Sequence, residues 1–370
     1  MKKKIVHLTS VHARYDTRIF LKECTSLAKA GYDVSLVVAD GKGNKVKNGV
    51  KIFDVGVIHG KVSRILKTTK NVYKKALEID ADIYHFHDSE LLFTGLKLKK
   101  KGKIVIYDSH EDFPRQIYNK QWLPKWTRMP LSNTVELIEN HISKRLDAIV
   151  CPTTLIKNRF LKFNKLSVEI KNYVLLEEFN KISSVTTESK NICYVGVITR
   201  ERGIIELLDA MDTLKDVNLI CCGPFESPVF EEELRQHKSW KKVDYRGVVG
   251  RDEVVQIMQE SSVGMVNLLN TPNQIESLPI KLFEYMAAGL PAIASSFPLW
   301  KEIVEDNDCG LCVNPENPEE ITDAIKFFFD NPGEVTRMGE NGKKAVKDIY
   351  NWGVEEKKLV NLYERLISDE

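Results

Sequence analysis

Residues 276–291 place one lysine between two carboxylates in a segment that has the signals of a helix. Ser277 followed by Pro279 is typical of the start of a helix, and Gly289 is typical of its end. The first turn of a helix has backbone amides without intrahelical partners, and such amides bind anions. Lys281 lies in that turn, where its charge opposes the helix dipole unless an anion lies between them. The segment therefore predicts a site for a diphosphate.

The two carboxylates extend this predicted site in both directions. Lys281 and Glu284 are three residues apart, so they share one face of the helix. Counted along the same helix, Glu276 and Glu284 lie about 12 Å apart. A nucleotide sugar along this face would place its sugar at Glu276, its phosphates at Lys281 and its ribose at Glu284. An amphipathic helix with ordinary surface charges is the alternative.

Two other groups contain residue types that bind metal ions. His85 and His87 lie on one side of a predicted strand end and Asp88 begins the following loop, but no further ligand is evident. Cys309 and Cys312 form a C-x-x-C pair, but no second pair lies at a spacing suitable for zinc. We therefore predict that neither group binds a metal, and that the protein needs no metal and no cofactor.

Apolar runs alternate with amphipathic helical segments along the chain. Continuous apolar runs of this kind are typical of parallel strands that are buried on both faces. Six runs lie in each half, at residues 5–8, 34–38, 52–57, 83–86, 104–107 and 148–151, and at residues 192–197, 217–222, 243–248, 263–268, 291–294 and 311–313. The pattern predicts an α/β protein with two Rossmann-like, doubly wound domains.

The two predicted domains meet at a polar stretch near residues 181–190. We assign residues 1–178 to an N-terminal domain and residues 179–350 to a C-terminal domain. Residues 351–370 are predicted to form a helix that packs back on the N-terminal domain. Two such domains facing each other create a cleft at the carboxyl ends of both sheets, where ligands bind. This architecture predicts a two-substrate enzyme.

Composition places the chain among folded proteins. Hydrophobic residues make up 43% and charged residues 29% of the 370 residues. We find no apolar run of about 18 residues that would span a membrane. The N-terminus lacks the apolar stretch of a signal peptide, and the seven cysteines are odd in number, as expected for reduced thiols. We therefore predict a cytoplasmic protein.

Charge is distributed unevenly along the chain. Residues 1–180 contain 33 basic and 19 acidic residues, a net charge of +14, whereas the remainder carries −12. A basic half indicates an anionic partner, such as an acidic membrane surface or a phosphorylated acceptor. Nucleic acid is not expected, because no recognition motif accompanies the charge. Residues 113–130 mix aromatic and basic side chains, which favours peripheral contact with a membrane, with a packed loop and helix as the alternative.

Several motifs along the chain resemble one known family. They are residues 276–291, Asp16-Thr-Arg-Ile-Phe, residues 82–88, Tyr107-Asp-Ser-His-Glu, residues 194–203 and Trp300-Lys-Glu-Ile-Val, in the expected order. Together they resemble the retaining glycosyltransferases of family 4, which have the GT-B fold, and especially the bacterial members that assemble polysaccharides. The resemblance covers essentially the whole chain. It implies that the N-terminal domain binds the acceptor and the C-terminal domain binds a nucleotide-sugar donor.

The resemblance also implies roles for individual residues. Glu276, His110, Arg202 and Lys281 are the implied catalytic residues, with Glu276 near the donor sugar and the two cations on the leaving diphosphate. Glu284 would hold the ribose, and Gly196 would let the backbone approach the diphosphate. The remaining residues implied in donor binding are Arg200, Ser277, Leu278 and Val249, the last of which lies in the loop that borders the base.

Two departures from the family pattern affect the prediction. The family usually has an arginine directly after the glycine at Gly196, and here that residue is Val197. The turn after the first strand contains no glycine, which disfavours a phosphate site there and favours acceptor recognition by Asp16 and Arg18. His87 completes the predicted acceptor set.

The resulting prediction is a retaining glycosyltransferase. It would move a sugar from a UDP- or GDP-linked donor to a glycan or lipid-linked acceptor in cell-surface polysaccharide synthesis. One alternative is a nucleotide-sugar epimerase of the same fold. Another is an inactive nucleotide-sugar-binding subunit of an assembly complex, which the missing arginine at Val197 keeps open. A dinucleotide-dependent oxidoreductase is disfavoured because no G-x-G-x-x-G follows the first strand.

Overall fold

The computed structural model describes residues 2–60, 63–119, 123–182, 185–186 and 189–368. It consists of two compact units. The first unit contains residues 1–172 together with residues 353–370, and the second contains residues 173–352. Four residues of the predicted polar stretch, 183–184 and 187–188, lie outside the described part. Among the described residues, no helix combines the length and apolar character needed to cross a membrane.

The first unit is built on an eight-stranded sheet with the order β3-β4-β2-β1-β5-β6-β7-β8. Its strands are β1 Lys4–Leu8, β2 Asp33–Val38, β3 Lys45–Lys47, β4 Val50–Asp54, β5 Ile83–Phe86, β6 Ile104–Asp108, β7 Ala148–Cys151 and β8 Ser167–Glu169. All pair in parallel except β3, which is antiparallel to β4. The six predicted strands are confirmed. The two that were missed are three-residue edge strands, too short to show as an apolar run.

The helices of the first unit cover both faces of this sheet. They are Thr17–Cys24, Thr25–Lys29, Arg64–Thr68, Thr69–Ile79, Ser89–Leu91, Leu92–Lys99, Phe113–Gln116, Ile117–Asn119, Lys125–Ser143, Thr154–Leu161 and, from Gly353 onward, Trp352–Ser368.

Two of these helices hold polar groups in defined hydrogen bonds. The helix Thr17–Cys24 has π-helical winding and is capped by Asp16, whose carboxylate accepts hydrogen bonds from the amides of Arg18 and Ile19. The helix Trp352–Ser368 buries an apolar stripe that consists of Leu359, Leu362, Tyr363 and Leu366. The Glu355 carboxylate of that helix accepts the Lys171 amide at 2.9 Å.

The second unit is built on a six-stranded parallel sheet with the order β11-β10-β9-β12-β13-β14. Its strands are β9 Asn191–Val195, β10 Asn218–Cys222, β11 Val243–Tyr245, β12 Val263–Val266, β13 Ala292–Ser295 and β14 Gly310–Val313. Both faces are buried, because Ile192 and Tyr194 of β9 pack in one apolar cluster while Cys193 and Val195 pack in the other. The six predicted strands and the α/β class are confirmed.

The helices of the second unit follow its strands and pack on both faces. They are Leu176–Glu178, Arg200–Arg202, Ile204–Asp212, Pro228–Arg235, Lys238–Lys242, Arg251–Gln259, Pro272–Ile275, Ile280–Ala288, Pro298–Val304, Pro318–Asp330 and Pro332–Asp348.

Candidate functional site

Three glycines crowd together where the central strands of the second unit end. Gly196 and Gly223 follow β9 and β10, and both have positive φ angles, +124° and +130°. The Gly196 amide donates to the Cys222 carbonyl at 2.9 Å, and the Gly223 amide donates to the Gly247 carbonyl at 2.8 Å. A Cβ atom on Gly223 would lie 2.1 Å from the Gly196 oxygen. Only glycine allows these loops to approach so closely.

Two cations converge on Gly196. A Cβ atom at that position would lie 3.1 Å from Nη1 of Arg202 and 3.6 Å from Nζ of Lys281. The Lys281 ammonium lies 3.5 Å from the centroid of the Tyr194 ring. Lys281 is only 7% exposed, and its Nζ has no hydrogen-bond acceptor among the described residues. The structure therefore brings together three residues that the sequence predicted for one site.

The electrostatics of this pair favour an anionic ligand. Burial first, and then the neighbouring charge of Arg202, lowers the pKa of Lys281 well below its usual range. A buried ammonium without an acceptor is costly, and a nearby like charge adds to that cost. A bound phosphate group would supply both the hydrogen-bond acceptors and the opposite charge. The end of β9 is thus a preorganised site for an anion.

A helix N-terminus contributes to the same site. Lys281 is the second residue of the helix Ile280–Ala288, and no side chain caps the start of that helix. Its first-turn amides carry partial positive charge, although the Leu282 amide already donates to the Pro279 carbonyl at 3.0 Å. The predicted helix end is confirmed, because Gly289 has a left-handed conformation with φ +77°.

The prediction that Ser277 caps this helix is wrong. The Ser277 hydroxyl donates to the Gln274 carbonyl at 2.9 Å, and the Ser277 carbonyl accepts from Nε1 of buried Trp300 at 2.7 Å. Ser277 therefore belongs to the preceding turn. Pro279 occupies the position before the helix instead, with an extended ψ of 121°.

Glu276 is consequently not on the helix that carries Glu284. It is exposed and lies directly after the short helix Pro272–Ile275. The predicted spacing of about 12 Å along one helix axis does not apply, because a turn separates the two carboxylates. Glu276 remains a candidate for the donor sugar through its loop rather than through a helix face.

Glu284 is buried and paired with a residue that the sequence did not single out. Its Oε1 lies 2.7 Å from Nη1 of Arg251. Arg251 also donates from Nε to Glu178 at 3.0 Å. Although burial acts in the opposite direction, the charges of Glu284 and Glu178 raise the pKa of Arg251. The sequence could have indicated Arg251, because this residue begins the helix that directly follows the loop containing Val249.

The other residues that were predicted to bind the donor lie in different surroundings. Arg200 is exposed, pairs with Glu233 and lies over the Phe230 ring, so it does not join Lys281 at Gly196. Val249 and Leu278 are half-buried and pack against the same apolar cluster of the second unit. Val197, which stands where the family usually has an arginine, is exposed. Its carbonyl accepts a hydrogen bond from the Tyr194 hydroxyl at 2.8 Å.

In the first unit, the carboxylate of Asp108 organises the carboxyl end of β6. Arg18 donates two hydrogen bonds to it, from Nε to Oδ2 at 2.8 Å and from Nη2 to Oδ1 at 2.9 Å. Nδ1 of His87 lies 3.2 Å from Oδ2 of Asp108, and Nε2 of His110 lies 2.9 Å from the same atom. The Arg18 charge holds the pKa of Asp108 well below its usual range, although burial opposes this. Asp108 is therefore an anion that fixes the ring of His110.

The predicted acceptor residues differ in accessibility. Arg18 and His87 are buried, and both contact the Asp108 carboxylate, whereas Asp16 is half-buried. His12 was missed by the sequence reasoning and lies beside Asp16, with its Nδ1 3.7 Å from Oδ2 of Asp16 and its Nε2 3.3 Å from Oδ1 of Asp88. Although burial opposes it, these two carboxylates raise the pKa of His12 to about 10. His12 therefore adds a positive charge at the end of β1.

Two family models match consecutive parts of the chain. The model of Glycosyltransferase Family 4 matches residues 17–170, and the model of Glycosyl transferases group 1 matches residues 177–345. A protein of Haemophilus influenzae described as an uncharacterized glycosyltransferase is 26% identical over 352 residues, which cover 91% of this chain and 92% of that protein.

Solved structures share the fold at low sequence identity. Sucrose-phosphate synthase from Thermosynechococcus elongatus has a TM-score of 0.81 at 17% identity, over the full length of both chains. HepE from Anabaena, solved in complex with UDP-glucose, has a TM-score of 0.73 at 12% identity and covers 98% of this chain and 99% of its own. The two family models follow one another along nearly the whole chain, and the chain belongs to the family-4 glycosyltransferases, transferase enzymes with the GT-B fold.

Proposed function

We propose that the enzyme is a retaining glycosyltransferase. In this proposal it transfers a sugar from a UDP- or GDP-linked donor to a glycan or lipid-linked acceptor in cell-surface polysaccharide synthesis. The main support for this class of donor is the buried Lys281 ammonium. It faces Gly196 beside Arg202 and has no hydrogen-bond acceptor in the described part of the chain. A nucleotide diphosphate supplies acceptors of the right charge. The UDP-glucose complex of HepE supports the same donor class.

The proposed chemistry places negative charge on the leaving diphosphate. Cleavage of the sugar–phosphate bond transfers that electron pair to the phosphate oxygen. Lys281, Arg202 and the first-turn amides of the helix Ile280–Ala288 are fixed in place before the reaction and stabilise the developing charge. Because these groups already supply positive charge, the transfer needs no metal ion at the diphosphate.

Retention follows in this proposal from attack on the face that the diphosphate leaves. The bond from the anomeric carbon to the phosphate oxygen breaks, the bond to the acceptor oxygen forms, and the acceptor proton moves to the leaving phosphate. No protein nucleophile is assigned. Glu276 contacts the donor sugar, and one oxygen of Glu284 accepts the ribose hydroxyls while Arg251 holds the other. Val249 borders the base.

On the first unit, we assign the acceptor side to the ends of β1 and β6. Asp16 and His12 offer opposite charges for polar groups of the acceptor. His110, fixed by Asp108, is the candidate for contact with the reacting sugar. Arg18 and His87 act in this proposal through Asp108, because both are buried against it.

A second proposed property is contact with an anionic membrane. On the helix Lys125–Ser143, Trp126 is 81% exposed and Leu137 is 71% exposed, and exposed Met129 lies on the same face. The net charge of +14 over residues 1–180 complements anionic lipid head groups. Residues 120–122 of the predicted membrane segment lie outside the described residues. We propose that this face rests on the membrane that carries a lipid-linked acceptor.

Product analysis tests the proposed function against its two alternatives. The full-length protein is incubated with UDP-glucose, UDP-galactose or GDP-mannose, with and without a bacterial membrane lipid extract. A transferase releases the nucleoside diphosphate only when an acceptor is present, and nuclear magnetic resonance of the product shows the donor's anomeric configuration. Acceptor-independent release of an epimerised sugar supports the epimerase, and binding without turnover supports the inactive subunit.

A further inference from the structure

Three imidazoles share one buried face of the sheet in the first unit. His7 of β1 is in register with His85 of β5, and His87 lies two residues further along, so its side chain points to the same face. Glu23 reaches them from the helix Thr17–Cys24. All four residues are buried, and one ligand atom from each lies within 4.8 Å of the others. The sheet register, rather than sequence proximity, assembles this cluster.

Polar groups surround the imidazoles of this cluster. Nδ1 of His87 lies 3.2 Å from Oδ2 of Asp108, and a proton on that nitrogen would leave the lone pair of Nε2 of His87 facing Nδ1 of His7 at 2.9 Å. Nε2 of His7 lies 3.4 Å from the Tyr363 hydroxyl, on the opposite side of its ring. The same hydroxyl lies 2.8 Å from Nδ1 of His85, so this nitrogen would exchange that contact for a metal ion. The carboxylate behind His87 and the hydroxyl behind His7 are the kind of partner that fixes metal-binding histidines.

Glu23 lacks a hydrogen-bond donor within this cluster. Neither of its carboxylate oxygens makes a hydrogen bond within the described part of the chain. Oε1 lies 3.2 Å from Nε of Arg18, whose guanidinium is already bound to Asp108. Oε2 lies 3.9 Å from Nδ1 of His7 and 3.9 Å from Nδ1 of His85. A buried carboxylate oxygen that faces neutral ring nitrogens needs either a proton or a metal cation.

We infer that His7, His85, His87 and Glu23 bind one divalent transition-metal ion, with zinc favoured by the ligand types. The ligand separations of 2.9 Å and 3.9 Å bracket the value of about 3.3 Å expected between ligands of tetrahedral zinc. Four protein ligands without an open position are typical of a structural site rather than a catalytic one. The ion would therefore join β1, β5 and the helix Thr17–Cys24, and the proposed transfer chemistry does not use it.

This inference overturns the reason for the sequence prediction at His85 and His87. That prediction rested on the lack of further ligands, and the structure places His7 and Glu23 beside them. The inference is also independent of the proposed function, because it concerns metal content and stability rather than donor turnover.

Metal analysis of the full-length protein tests the site. The protein, purified on a tag without histidines, is stripped with a chelator, re-equilibrated with Zn²⁺ and analysed by mass spectrometry for metals. We expect about one zinc per chain in the wild type and in the control His237→Gln, whose side chain pairs with Asp209 in the second unit. Glu23→Gln and His85→Gln should weaken zinc binding by roughly 100-fold. Stoichiometric zinc in both cluster variants would overturn the inference.

Cobalt substitution of the wild type decides the question even if the cluster variants do not fold. Co²⁺ bound by three nitrogens and one oxygen in a tetrahedral site gives strong visible absorption, whereas an octahedral surface site gives weak absorption. We expect the tetrahedral spectrum at a stoichiometry of about one, together with a higher melting temperature in the loaded protein. A weak octahedral spectrum, or no stoichiometric binding of either ion, would show that Glu23 holds a proton instead.

Discussion

Arg202 and Arg200 are only two residues apart, but the structure gives them different surroundings. Arg202 faces Gly196 together with Lys281, whereas Arg200 is exposed and pairs with Glu233. The sequence could not separate them, because both follow β9 within the same short loop. Both lie in the 3-10 helix Arg200–Arg202, in which side chains two residues apart point in different directions. We therefore infer that Arg202 and Lys281 together compensate for the missing arginine at Val197.

Alanine variants of the two arginines test this assignment. We expect Arg202→Ala to lower donor turnover by about 100-fold, as for the loss of one group that stabilises developing charge. Arg200→Ala should lower it by less than about threefold, since a solvated ion pair contributes little. Arg235→Ala, which removes a surface pair with Glu231, controls for the general loss of charge. Equal losses at Arg200 and Arg202 would contradict the assignment.

The charge of His12 gives a prediction about pH. Its pKa of about 10 lies above the unfolded value of about 6.5, so its ion pairs stabilise the protein fully below about pH 6.5. That contribution is lost as the pH rises through about 10. We expect the melting-temperature difference between wild type and His12→Gln to shrink between about pH 7 and about pH 10.5. The exposed His141→Gln should show no such trend, and a constant difference for His12→Gln would contradict the ion pairs.

At the scale of elements, the glycine loops after β9 and β10 shape the proposed donor site. A Cβ atom on Gly223 would meet the Gly196 oxygen at 2.1 Å, and its φ of +130° is unfavourable for other residues. We expect Gly223→Ala to lower the free energy of unfolding by about 2 kcal/mol and to weaken donor binding. Chemical denaturation and titration with UDP or GDP measure the two effects.

Gly333→Ala is the matched control for that experiment. Gly333 lies in the helix Pro332–Asp348, its φ is not positive, and a Cβ atom at that position would have no neighbouring atom within 4 Å. Alanine should leave donor binding unchanged and raise stability by about 0.5–1 kcal/mol, because glycine is unfavourable within helices. If Gly223→Ala and Gly333→Ala had the same stability and the same donor affinity, the close contact between Gly223 and Gly196 would not shape the proposed donor site.

The sequence predicted elements well where burial alone determines them. Strands covered on both faces must be continuous apolar runs, so the central strands of both sheets were predictable. The start of the helix at Ile280 was not, because Ser277 can either cap a helix or hydrogen-bond within a turn, and its pairing with Gln274 decides between them. The cluster around His7 was equally hidden, since the register between β1 and β5 creates it.

At the scale of the whole molecule, charge and exposed apolar groups differ along the chain. The basic first half includes the exposed face of the helix Lys125–Ser143. We expect Trp126→Ser and Leu137→Ser together to weaken binding to anionic lipid vesicles by about tenfold, as each removes apolar area that would enter the interface. Sedimentation with vesicles measures this.

Val229→Ser is the control for the vesicle experiment. Val229 is 78% exposed on the helix Pro228–Arg235 of the second unit, so the change removes a comparable exposed apolar group elsewhere. It should leave vesicle binding unchanged. If the Trp126→Ser and Leu137→Ser protein bound vesicles as tightly as the wild type, the proposed membrane face would be wrong.

The paired cations at Gly196 are the part of the molecule on which the proposed donor chemistry depends, because they are assigned to the diphosphate. Calorimetric titration of UDP and of GDP into wild type and Lys281→Met tests this assignment, with Lys238→Met as a surface control in the same unit. We expect one nucleotide to bind the wild type and Lys238→Met equally. Lys281→Met, which should fold as stably because a buried charge is removed, should bind that nucleotide at least about 30-fold more weakly. Undiminished binding by folded Lys281→Met, or no binding of either nucleotide to the wild type, would contradict the assignment of these cations to a nucleotide-sugar donor.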